Sequence, residues 1–404
     1  MTADVVTLDE PAVQRYRVAV SGLFLAHPHS GTGRYARHVI QYLAGVPDFQ
    51  TNVIIDKPDV EGIADQDANS SVARTKYVMA PMPHLRPGSY ERKLVWEQAG
   101  LNVAARRLRA SVLYSPHFSM PLFAGCPTVV SIHDLIPLTE PAYSGSMAAR
   151  LYFRLVSAAA RRADAVVTLS EYAKSEIERL LRIPTERIHV VVPAAESTFD
   201  PTPDSTASGR ARSRYNLPER YLLYVGGADV RKNIGVLLRA VQLLEGDDTI
   251  PPLVVAAGMA KAGQEALFPD WRAQATELQL GARVRFVERI AEEDLAAVYR
   301  DAHAFLFPSR AEGFGLTPLE AMACGTPVIS SNATSLPEAV GAAGLLIPPD
   351  DVEAWAQAIS TICKDGQLRE RLAIEGLFRA GQFSWETTGA RVAGIIRTVA
   401  SCAS

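Results

Sequence analysis

The sequence predicts an α/β protein built from two doubly wound parallel-sheet domains. Short runs rich in Val, Ile and Leu recur along the chain with amphipathic helical stretches between them. The alternation stops once near the middle and then restarts. A length of 404 residues, with 48% apolar and 21% charged side chains, suits two cores better than one and excludes disordered and disulfide-scaffold classes.

The elements follow in order. RVAVSG (17–22), SVLYSP (111–116), TVVSIHD (128–134), AVVTLS (165–170) and IHVVVP (188–193) are continuous apolar runs rather than alternating ones. Such runs mark strands covered on both faces, as in a parallel sheet. Stretches between them, RYARHVIQYLAG for one, carry apolar residues at helical spacing. At 201–216 the segment is rich in Pro, Ser, Thr and charge without periodicity, and reads as a linker. The pattern restarts with YLLYVGG (221–227), PLVVAAG (252–258), RVRFVE (283–288), AFLFPS (304–309) and PVISSN (327–332). A last amphipathic helix covers 384–401. The expected domains are therefore 1–200 and 217–383, joined by 201–216, with 384–404 crossing back to the first. Ligands of such sheets bind beyond the carboxyl ends of the strands, so a ligand cleft between two facing domains is expected.

Composition narrows the function. A net charge of −3 gives no general attraction to nucleic acid, although residues 71–200 carry 16 basic against 11 acidic side chains. Cys126, Cys324, Cys363 and Cys402 lack CxxC spacing and read as free thiols, neither a zinc site nor a disulfide framework. The first residues lack a signal-peptide pattern, and no apolar run reaches transmembrane length, so a cytoplasmic chain is expected.

Four stretches carry chemistry. In PSRAEGFGLTPLEAMACGTPVISSN (308–332), Gly313 and Gly315 permit close backbone approach to a ligand, and the following helix aims its free N–H groups at the loop. Glu320 completes a capping box with Thr317, with Pro318 at the first helical position, or else meets a ligand; Glu312 has no such structural role. In YLLYVGGADVRKNIGVLL, Arg231 and Lys232 precede a helix that Asn233 would cap, and suit a diphosphate or simply a solvated surface. HPHSGTGRYAR (27–37) places Gly31 and Gly33 at a helix start, yet fails the dinucleotide fingerprint. His133 ends an apolar strand, either as a functional group or as a satisfied structural histidine. The only DxD, Asp65 to Asp67, lies in a polar stretch and reads as surface loop, so no metal is expected.

Taken together, these stretches resemble the family 4 retaining glycosyltransferases of the GT-B fold. The resemblance rests on AEGFGLTPLEAMACGTPVI with its E-x7-E spacing, on SGTGRYAR, SPHF, SIHDLIPL, VTLSEYAK and VGGADVRKN, and on the FSWE helix. It implies that Arg231 and Lys232, beside Gly227, bind a nucleotide diphosphate, and that Glu320 holds the ribose hydroxyls. Glu312 with Gly313, Phe314, Gly315, Leu316 and Thr317 would form the donor-sugar site, His133 would approach the reacting sugar, and Gly31 and Gly33 would close over the phosphates. Glu288 departs from the family's usual glycine, which leaves the base open. No cofactor is implied beyond the sugar nucleotide. SIHDLIPL with SGTGRYAR is similar to members that use GDP-mannose for bacterial surface polysaccharides. Mannosyl transfer to an oligosaccharide or polyprenyl-diphosphate-linked acceptor is the first expectation, with UDP-, dTDP- or other GDP-linked sugars as alternatives. A two-lobed sugar-binding protein, an epimerase or a phosphorylase is the rival class. The stretch 90–110 aligns Leu94, Leu101 and Leu108 among basic residues, and either faces the core or lies on an anionic membrane.

Overall fold

A computed structural model describes residues 16–56, 75–80, 90–140, 143, 146–258 and 266–402. By packing, the chain divides into two compact units: the described residues of Met1–Val130, Ala158–Ala165 and Gly389–Ser404, and those of Ser131–Ser157 and Val166–Thr388.

The strands form two all-parallel sheets. One has seven strands in the order β3-β2-β1-β4-β5-β6-β7: β1 Tyr16–Ser21, β2 Phe49–Ile55, β3 Lys76–Met79, β4 Val112–Ser115, β5 Thr128–Ser131, β6 Ala165–Thr168 and β7 Ile188–Val190. The other has six, in the order β10-β9-β8-β11-β12-β13: β8 Leu222–Gly226, β9 Leu253–Ala257, β10 Val284–Val287, β11 Ala304–Phe307, β12 Val328–Ser331 and β13 Gly344–Ile347. Every run read as a strand is one, and the central strands are covered on both faces: Val18, Ala19 and Val20 in β1 and Phe305 and Leu306 in β11 are fully buried.

Two expectations are revised by packing. The segment 201–216 contains a helix, Ser205–Tyr215, whose N-cap Asp204 accepts from the Ala207 N–H at 2.9 Å. Its buried face is only Ala207 and Ala211, while Arg210 and Arg214 reach the buried Asp294 at 2.7 and 3.0 Å, so its amphipathicity is faint in sequence. The stretch 90–110 is a helix Tyr90–Val95, a π-helical turn Trp96–Gly100 and a helix Leu101–Arg107. Leu101 is buried in a core cluster with Trp96, Ala104 and Ala105, and Leu108 packs against it. Leu101 and Leu108 of the stripe face the core, Leu94 is partly buried, and the exposed positions include Val95, Ala99, Val103, Arg106 and Arg107.

The last helix, Trp385–Ser401, enters the first unit from Gly389 onward, where Arg397 makes a two-pronged ion pair with Asp48 at 2.7 and 3.0 Å. Among the described residues no helix is long and apolar enough to cross a membrane.

Candidate functional site

Two loops of the second unit, beyond the carboxyl ends of β8 and β11, hold most of the singled-out residues. After β8 the chain passes Gly227, whose carbonyl accepts from the Tyr224 hydroxyl at 2.7 Å, and enters a single 3-10 turn, Val230–Lys232. Asn233 follows in the left-handed region at φ 56°, a conformation Asn tolerates better than most residues. It precedes the helix Ile234–Leu243 as expected but does not cap it with its side chain; its amide donates instead to the carbonyls of Pro308 (3.3 Å) and Pro349 (2.6 Å). The cationic turn is thereby tied to the loop after β11.

That second loop is fixed by hydroxyls. The Glu312 N–H donates to Thr334 Oγ1 at 3.0 Å, and Ser335 Oγ donates to the carbonyls of Glu312 and Phe314 at 2.8 and 3.1 Å. Phe314 is buried edge-on against Phe383, with ring centroids 5.6 Å apart. Gly315 has φ 120°, a conformation only glycine adopts readily, and turns the chain directly into the helix Leu316–Ala323. The capping-box expectation is therefore corrected. Gly315 is the N-cap residue, Leu316, Thr317 and Pro318 form the first turn, and no side chain caps the helix. Glu320 is 2% exposed and accepts from the Tyr299 hydroxyl at 3.4 Å.

The charges converge on one carboxylate. Glu312 Oε1 accepts from Lys232 Nζ at 2.6 Å and pairs with Arg231 Nη1 at 2.9 Å, all three side chains being between 11 and 15% exposed. Arg231 Nη1 also donates to the Ala311 carbonyl at 2.5 Å, and its Nε lies 3.4 Å from Asp229 Oδ1. Burial resists the charge of Glu312, yet Lys232 and Arg231 hold its carboxyl below the ordinary range. Burial pushes the Lys232 ammonium down against the pull of Glu312. Arg231 is also opposed by burial, but Glu312 and Asp229 keep it firmly protonated.

His133 arrives beyond the end of β5 and belongs to this unit. A Cβ on Gly313 would fall 2.4 Å from the His133 carbonyl oxygen, so the two backbones touch. The neighbouring Asp134 carboxylate accepts from the Ile136 N–H at 3.0 Å, and burial raises its pKa.

The structure thus gathers His133, Gly227, Arg231, Lys232, Glu312 to Thr317 and Glu320 in one unit. Gly31 and Gly33 belong to the other, at the start of the helix Gly31–Gly45. Ser30 caps that helix by accepting from the Gly33 N–H at 3.0 Å. A Cβ on Gly33 would meet the His27 carbonyl at 2.0 Å, whereas Gly31 has nothing within 4 Å. Gly33 is a packing glycine, and Gly31 is open. Asp65 to Asp67 lie outside the described residues.

Sequence reasoning missed Asp229, Tyr143, Ser170, Thr334 and Ser335. Ser170 caps the helix Glu171–Leu181 and also donates to the Gly313 carbonyl at 2.9 Å. Asp229 and Ser170 lie inside the runs VGGADVRKN and VTLSEYAK, which are signals in themselves; Tyr143 carries none. Chemically, two largely buried cations held by the carboxylates of Glu312 and Asp229 can present N–H donors to an anionic group that competes with those carboxylates.

Both halves of the chain resemble known proteins. Residues 29–196 match the model of Glycosyltransferase Family 4 and residues 207–377 that of Glycosyl transferases group 1. The chain is 31% identical to the O-antigen chain mannosyltransferase B of Escherichia coli over 376 residues, 90% of this chain and 94% of that one. Sucrose-phosphate synthase from Thermosynechococcus elongatus superposes with a TM-score of 0.72 at 23% identity, covering 96% of this chain and all of the other. Anabaena HepE, solved with UDP and glucose, gives 0.72 at 17% identity over 95% of this chain and all of the other. With two parallel sheets, both halves matched and one relative alike along nearly its full length, the chain belongs to the family 4 glycosyltransferases and has the GT-B fold.

Proposed function

We propose that this chain transfers an α-mannosyl residue from GDP-mannose to an oligosaccharide or polyprenyl-diphosphate-linked acceptor during bacterial surface polysaccharide synthesis, at the cytoplasmic side of the membrane. The observation that carries the reading is the likeness to an O-antigen chain mannosyltransferase along nine-tenths of the chain. The mechanism proposed with it uses the cationic pair. Arg231 and Lys232 take the diphosphate and stabilise its developing charge as the bond from the sugar C1 to the phosphate oxygen breaks. The acceptor oxygen bonds to C1 on the same face, and its proton passes to the departing phosphate oxygen, so configuration is retained. Glu312 and His133 position the sugar, and Glu320 holds the ribose; neither Glu312 nor His133 is a covalent nucleophile.

A hollow of about 250 Å³ lined by Ala228, Ala257, Gly258, Trp271 and Phe286, at the ends of β8 and β9, is the proposed seat of the base. Glu288 is exposed beyond β10 and is not among its lining residues. A second donor reading has a specific support: HepE, of the same fold, was solved with UDP and glucose. A thermal-shift panel of GDP, UDP, dTDP and ADP separates the two, because a ligand that binds only the folded state raises the melting temperature. GDP is expected to stabilise, and GDP-mannose to be turned over with EDTA present. A response to UDP alone overturns the donor, and a glycosyl adduct trapped on Glu312 or His133 overturns the mechanism.

Peripheral contact with anionic lipid is also proposed, through the exposed Val95, Ala99 and Val103 beside Arg106 and Arg107. Val103→Glu is expected to lower co-sedimentation with phosphatidylglycerol vesicles by about tenfold while leaving transfer to a water-soluble acceptor intact. Equal sedimentation of variant and wild type would remove this face from consideration.

A further inference from the structure

The segment Ser131–Ser157 follows β5 in the chain, yet it packs as part of the unit that holds the cationic pair. One contact responsible is a side-chain triangle. The Tyr143 hydroxyl donates to Asp229 Oδ1 at 2.5 Å, and Arg231 Nε donates to the same phenol oxygen at 3.4 Å. Asp229 is 7% exposed, and its Oδ1 is also 3.4 Å from Arg231 Nε. Burial, and then the bond to Asp229, raises the phenol to about 12, so Tyr143 keeps its proton at neutral pH.

We propose that Tyr143 is a positioning residue for the donor diphosphate, acting through Asp229 and Arg231. The inference rests on Arg231 and Lys232 being the diphosphate pair. A guanidinium recognises phosphate through a planar fork, so its worth depends on the plane in which it is held. Arg231 Nη1 is fixed by the Ala311 carbonyl and Glu312, and its Nε side faces Asp229 and the phenol. Without the hydroxyl, Asp229 loses its hydrogen-bond donor and is left to draw the guanidinium towards itself, turning the fork. The phenol does not touch the reacting atoms in this role, because its proton is committed to Asp229.

The test compares Tyr143→Phe, Asp229→Asn, the double variant and Arg231→Ala in the full chain, titrated calorimetrically with GDP and with UDP. Tyr143→Phe is expected to weaken whichever nucleotide binds by about tenfold, the worth of one hydrogen bond to a charged group. It is also expected to raise the donor KM more than it lowers kcat, with the ligand-free melting temperature nearly unchanged. The double variant should be no weaker than the worse single, since the two groups act as one device. Unchanged affinity in Tyr143→Phe, additive losses, or a lowered melting temperature that tracks the loss overturns the role of the tyrosine. If Arg231→Ala loses nucleotide while Tyr143→Phe keeps it, the diphosphate assignment stands and only this inference fails. If Arg231→Ala binds like wild type, or no nucleotide binds wild type, both fail.

Discussion

Lys232→Ala is expected to weaken nucleoside diphosphate binding by about 30- to 100-fold and to reduce transfer at least as much. The ammonium is nearly out of water, 2.6 Å from Glu312 and 5.0 Å from the centre of the Phe307 ring. A hydrogen bond to a charged group is worth roughly 1.5–3 kcal/mol, and each 1.4 kcal/mol is tenfold. The upper part of that range applies because little solvent competes at this depth. Burial also lowers the Lys232 pKa, so the positive charge is lost at a lower pH than on an exposed lysine. Donor affinity is accordingly expected to decline as pH rises, at a lower pH than an ordinary lysine would titrate. Lys232→Arg should move that alkaline limb away while losing some affinity to its different shape. Glu312→Gln supplies the contrast. It releases both cations from their shared carboxylate, so nucleoside diphosphate binding is retained or tightened while sugar transfer falls. Calorimetric titration from pH 7 to 10 reads all three variants, and a Lys232→Ala protein that binds like wild type would sink the assignment.

Much of this arrangement was legible in the sequence because buried parallel strands have to be continuously apolar, which exposed ten of the thirteen strands. Of the three that escaped, β2 breaks that rule in its letters, while β3 and β13 lie at sheet edges, β13 although its run GLLI is apolar. β2 buries Thr51 and Asn52, with Thr51 Oγ1 donating to the Leu43 carbonyl at 3.0 Å, so polar letters hide a core strand. β3 and β13 are sheet edges of four residues with half-exposed side chains. The site was legible as far as it is local. Glycines, cations and carboxylates at strand ends announce themselves, whereas Tyr143 meets a partner 86 residues away in the chain and no spacing rule reaches it. The capping box was misread for a physical reason: the pattern Thr-Pro-Leu-Glu fits a helix start, but Gly315 can take a positive φ and begins the helix earlier. That shift leaves Glu320 in the interior beside Tyr299, where it has no cap to make.

Gly313→Ala is expected to cut transfer by about 100-fold or more, with a smaller loss of nucleoside diphosphate affinity. The added Cβ would stand 2.4 Å from the His133 carbonyl oxygen, 3.1 Å from its carbon and 3.4 Å from Asp134 Cβ. Two of those are backbone atoms and have no rotamer into which to retreat. The Gly313 carbonyl is meanwhile anchored by Ser170 Oγ at 2.9 Å, and the flanking residues by Ser335, so the loop cannot simply slide away. Overpacking of this kind costs about 1–3 kcal/mol, a modest drop in melting temperature for a chain of this size. The functional cost is larger, since a displacement of about 1 Å between reacting groups is worth on the order of 100-fold in rate. Here the displacement separates the strand end bearing His133 from the loop bearing Glu312. Arg231 and Lys232 come from the other loop and meet this one through Glu312 and the Ala311 carbonyl, so nucleotide binding falls as well, but less than transfer. Measuring kcat beside the nucleotide Kd distinguishes this from general unfolding, which would lower activity and binding capacity in equal proportion. A variant with wild-type kcat would mean that the backbone contact between His133 and Gly313 has no part in transfer.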